Sequence, residues 1–132
     1  MEEKKNESTP QRPEGERLVD APLVTIDLPK FMRQIKSEPA WLNGPRNAIT
    51  VFKSDHMRLV LIALHSGAEL PTHTADGTIS VQVLEGDIQF GTTDEAVQLR
   101  EGQMVTLHEG IPHNVRAIAD SLFLLTLVPR PK

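Results

Sequence analysis

From Ile49 onward, apolar residues fall into runs of four to eight, separated by Gly, Asp, Glu and Ser. That spacing is the mark of an all-β sandwich or barrel rather than a helical domain. The predicted strands are 49–53, 57–65, 78–84, 87–90, 96–99, 103–107, 114–118 and 122–128. Turn chemistry lies between them at Ser54-Asp55, Ser66-Gly67, Asp76-Gly77, Glu85-Gly86, Gly91 to Glu95, Glu101-Gly102, Glu109-Gly110 and Ala119-Asp120. Two runs, MRLVLIAL and LFLLTLV, are apolar at both alternating positions, so each is expected to be covered on both faces and to lie between two layers. Eight short antiparallel strands of this kind predict a small jelly roll, whose closure limits exposed edges.

The pattern before Ile49 is different. Leu28, Phe31, Met32 and Ile35 recur at i, i+3, i+4 and i+7, with Pro29 in the first turn, which predicts one short N-terminal helix over 28–38 that ends before Pro39. Leu23–Ile26 is expected to be a short strand, and Trp41 to anchor the helix on the sheet. Residues 1–17 hold five glutamates, four basic residues and Met1 as the only apolar side chain, a composition that cannot offset the entropy of ordering and reads as a flexible charged tail. The expected organisation is thus a tail (1–17), a strand and helix packing on the barrel (18–48), and the barrel itself (49–132).

Composition narrows the chemistry. With 132 residues, 39% of them hydrophobic, the chain fits a single domain with one core. A net charge of -4 with scattered lysines and arginines gives no basic surface for nucleic acid or an anionic membrane. The chain has no cysteine, which excludes disulfides, iron–sulfur clusters and thiol nucleophiles. A charged N-terminus and apolar runs too short to span a bilayer lead to the expectation of a cytoplasmic protein.

Two glycine-flanked segments each place a histidine at the start of a strand: GAELPTHTADGTISVQVLEG (67–86) and GQMVTLHEGIPHNVRA (102–117). The pair resembles the two motifs of the cupin superfamily, which imply a double-stranded β-helix (a jelly-roll barrel) over roughly Ile49 to Val128. The first family motif falls on Gly67, His73, Ala75, Ile79 and Gly86, and the second on Gly102, His108, Gly110, His113 and Ala117. Every glycine matches. In the family, the two histidines and glutamate of the first motif and the histidine of the second hold one metal ion; here only His73 and His113 stand at such positions.

If the first segment stays extended, residues 73, 75, 79, 81 and 83 face inward, giving a wall of His, Ala, Ile, Val and Val. A ligand pocket lined by His73, Ile79, Val81, Val83 and His113 follows. A metal site would need a third donor; His108, five residues before His113 across a bend at Glu109-Gly110, supplies one in a His73, His108 and His113 set. His65 is a further candidate for the barrel mouth, His56 reads as a turn residue, and Glu69, Asp76 and Glu85 flank the first motif as candidate oxygen ligands or bases. Three functions remain open. One is binding of a small molecule in the barrel; another is a metal-dependent oxygenase, isomerase or lyase using zinc, iron, nickel or manganese; the third is a structural or oligomerising auxiliary protein whose barrel is a packed core, and the cofactor stays open between such a divalent ion and none. The family resemblance also implies a homodimer.

Overall fold

The computed structural model describes residues 4–6 and 17–131. It contains a two-stranded ribbon, two short helices and two antiparallel sheets that face one another. The ribbon pairs β1 (Lys4–Asn6) with β2 (Arg17–Asp20), and the rest of the charged segment expected over 1–17 lies outside the described residues. Residues 23–26 are irregular rather than a strand, and Leu23 stands 85% exposed, with no sheet partner to bury it.

Helix α1 (Leu28–Ser37) begins where the Asp27 carboxylate accepts a hydrogen bond from the Lys30 amide, satisfying one of the orphan donors of the first turn. It ends before Pro39, as expected, but Pro39 then opens a second helix, α2 (Pro39–Asn43), because its fixed φ suits a first helical position. Phe31, Met32 and Ile35 of α1 and Trp41 of α2 pack over the outer face of one sheet. Beneath them, the buried Asn47 amide donates to the Ile35 carbonyl (3.0 Å) and to the Glu38 carboxylate (2.9 Å), which also accepts from Gln34. Glu38 is 5% exposed, and these donors make its burial tolerable.

That sheet has five strands in the order β3-β4-β11-β6-β9, formed by Arg46–Lys53, Arg58–Leu64, Ser121–Pro129, Gly77–Glu85 and Met104–Leu107. The second has four, in the order β5-β10-β7-β8: Glu69–His73, His113–Ala117, Asp87–Thr92 and Ala96–Arg100. Strands β4 and β11 are central neighbours. Their Leu61, Ala63 and Leu122 face the helices, while Leu64 and Phe123 face the barrel interior. The double apolar alternation of MRLVLIAL and LFLLTLV is therefore the signature of a sheet sandwiched between two cores. No helix among the described residues is long and apolar enough to cross a membrane.

Strand β5 is absent from the expected set. Its sequence, ELPTH, is polar, carries Pro71 and is exposed at four of five positions, so no alternation announces it. It is an edge strand, where a proline is tolerated, and it carries one of the two motif histidines.

Candidate functional site

The four-stranded sheet brings the motif histidines together. In the β5–β10 ladder His73 is directly opposite His113, and cross-strand residues of an antiparallel pair present side chains to the same face. Their rings meet at 4.3 Å between centroids, and His113 also stacks on Phe90 of β7 at 5.6 Å. Each ring is oriented by the chain two residues upstream. His73 Nδ1 lies 2.8 Å from the Pro71 carbonyl, and His113 Nδ1 lies 2.9 Å from the Ile111 carbonyl.

Below the two rings is a cavity of about 60 Å³. Ala75, Ile79 and Val81 form the wall expected from the first motif. The floor and opposite side come from β11 (Phe123, Leu125 and Leu127), with Ile62, Leu70, Phe90 and Val115 closing the remainder. Val83 has the predicted inward parity, yet it is fully buried in the barrel core below the cavity and does not line it. The β11 residues are missing from the pocket expected on sequence, although their i, i+2, i+4 spacing in LFLLTLV carries the signal.

His108 does not join the pair. Leu107 turns inward to pack on the barrel core, so the next residue continues toward solvent, and His108 is exposed at the end of an edge strand of the other sheet. The His73, His108 and His113 set is thus not assembled. Among the described residues no three His, Cys, Asp or Glu side chains are close enough together to hold a metal ion. The positions that complete the family's ligand set hold Ala75 and Ile79, neither with a donor atom in its side chain. Two imidazoles fall short of the three protein ligands usual for a catalytic zinc or iron site, so the residues present do not fit the metal that the family resemblance implies.

The other candidates have structural partners. His65 is stacked on Trp41 with centroids 3.4 Å apart, and its Nε2 donates to the Trp41 carbonyl at 2.8 Å, under α2 rather than at the mouth. His56 sits in the turn before β4, where its amide donates to Ser54 Oγ. Glu85 pairs with Lys36 at 2.7 Å and Glu69 with Arg116 at 4.0 Å. Asp76 and Glu109 both pair with Arg130, tying together the two loops beside the mouth, whose backbones are joined by the Gly110 amide on the Ala75 carbonyl. None of the three candidate carboxylates lines the cavity.

Burial pushes the His113 pKa below its ordinary value of about 6.5; the hydrogen bond to Ile111 opposes this, and the neighbouring His73 adds to the lowering. The sign for stability follows. As pH drops below about 6.5, the unfolded chain takes up a proton that the folded His113 refuses, so this contribution to stability is complete above that pH and is lost as pH falls through the folded-state pKa. Urea melts from pH 8 to pH 5 should show stability declining on the acid side, with a shallower decline in His113→Phe. An equal decline in the variant would remove His113 as the cause.

No sequence-family model matches the chain, and no curated protein matches it. Solved structures do. An RmlC-like cupin protein from Desulfovibrio desulfuricans is 29% identical, with 64% of this chain and 82% of that one covered and a TM-score of 0.59. TT1209 from Thermus thermophilus is 28% identical over 83% of this chain and all of its own, at a TM-score of 0.66. A cupin-2 domain protein from Shewanella frigidimarina is 19% identical, covering 80% and 95%, at 0.62. With two facing antiparallel sheets, glycines at every motif turn and these structural neighbours, the chain has the double-stranded β-helix fold of the cupin proteins it is similar to.

Proposed function

We propose that this protein binds a small molecule in the barrel cavity. The observation that carries the reading is an apolar cavity whose mouth holds two imidazoles, each with one ring nitrogen fixed by the backbone and the other without a protein partner among the described residues. Apolar walls with a few convergent polar groups are the usual make-up of a ligand site. At about 60 Å³ the enclosed space suits a head group and a few carbons, with any larger body extending through the mouth.

A ligand-observed NMR screen of small apolar fragments against the full chain tests this. Saturable binding is expected for the native protein, and its loss in Ala75→Phe, which places a ring where the wall now carries only a methyl group. Fragments that bind both proteins equally, or neither, would sink the reading.

A further inference from the structure

The chemistry of the mouth is set by which ring nitrogens carry hydrogen. A carbonyl oxygen only accepts, so Nδ1 of His73 and Nδ1 of His113 must each be the donor toward Pro71 and Ile111. In the neutral ring Nε2 is then a lone pair, an acceptor with no hydrogen to give. Neither Nε2 has a protein partner among the described residues. Although His113 is only 4% exposed, its Nε2 is not sealed off, since the one buried, unpaired side-chain atom among the described residues is Asp20 Oδ1. Every other lining side chain is apolar, so the wall contributes no donor of its own.

The cavity therefore presents two acceptors over an apolar floor. A head group that is itself acceptor-only, such as a carboxylate, meets two lone pairs and loses its hydration without replacement. A head group that donates a hydrogen bond finds a partner in either ring. We infer that the cavity selects small neutral molecules with a hydrogen-bond-donating head, of the alcohol class, on a short apolar body, and rejects the matching carboxylates. The inference rests on the cavity reading above and adds the chemistry of its ligand. Burial of His113, which favours its neutral form, works in the same direction.

Three probes of similar size separate the possibilities: 1-propanol, propionate and xenon, added to the full chain at pH 8 and followed by amide shifts of Ile79, Val81, Val115 and Leu125. Propanol should move these signals saturably, with an affinity at least roughly tenfold above that of propionate, the scale expected when one head group leaves buried acceptors unpaired. In His113→Phe, which keeps a ring against Phe90 but removes one acceptor, that preference should shrink severalfold. Propionate binding as well as propanol, or an undiminished preference in His113→Phe, would overturn the inference. If xenon moves the wall while neither propanol nor propionate does, the head-group selection fails and the cavity reading stands. If none of the three moves it, both fail.

Discussion

Gly86→Ala is expected to destabilise the protein by about 2–5 kcal/mol, whereas Gly102→Ala should cost no more than about 1–2 kcal/mol. Both glycines belong to the motifs and both have positive φ, +96° and +85°. The left-handed conformation alone costs an L-residue about 1–2 kcal/mol, and that part is common to the two. Their surroundings differ. A Cβ at Gly102 meets nothing within 4 Å, while one at Gly86 would collide with the Asp120 carbonyl oxygen and lie 2.7 Å from Ser121 Cα. Overpacking against backbone adds about 1–3 kcal/mol.

The position explains the crowding. Gly86 is the single residue between β6 and β7, where the chain leaves one sheet for the other. The Ala119-Asp120 turn before β11 is drawn in against it by Ser121, whose hydroxyl donates to the Ala119 carbonyl and accepts from the Asp87 amide. Chemical denaturation of the two variants checks the contrast. Equal losses would mean that the corner yields and that only the φ preference matters.

The barrel was legible in the sequence because its strands carry their burial on every second residue and end at residues that turn. All eight strands expected after Ile49 are present, and the doubly apolar pair identified the sheet that lies between two cores. What the sequence hid is what lacks a burial signal. Strand β5 is polar and at an edge, so its pairing with β10, which sets His73 against His113, is a consequence of tertiary closure and not of local pattern. The ring orientations were hidden for the same reason, since they depend on the carbonyl of Pro71 within the polar edge strand β5 and on that of Ile111 in the irregular approach to β10. Sequence spacing put His108 near the pair; strand parity, visible once Leu107 is known to face inward, takes it away.

Ala75→His combined with Ile79→Glu is expected to create a divalent-metal site where the native chain has two imidazoles alone. Positions 73, 75, 79 and 113 all line the same cavity, so the double variant would present three imidazoles and a carboxylate to one space, enough to fill the four-ligand shell of zinc. Without metal the variant should be less stable than the native protein. Ile79 is 4% exposed in an apolar wall, and an unpaired carboxylate there must ionise at a cost or stay protonated. Zinc reverses that penalty by binding only the folded chain, and at a concentration about one hundred times the dissociation constant it contributes about 2.7 kcal/mol of stability. The expected result is a melting temperature that rises with zinc in the double variant and stays level in the native protein, with one zinc retained per chain after desalting. Because the ligands bind metal only when deprotonated, the rise should fade as pH is lowered. Replacing His113 with alanine in the double variant should weaken the effect by removing one ligand. No zinc response in the double variant, with the fold intact by circular dichroism, would show that these four side chains do not converge and that the motif alignment fails at positions 75 and 79.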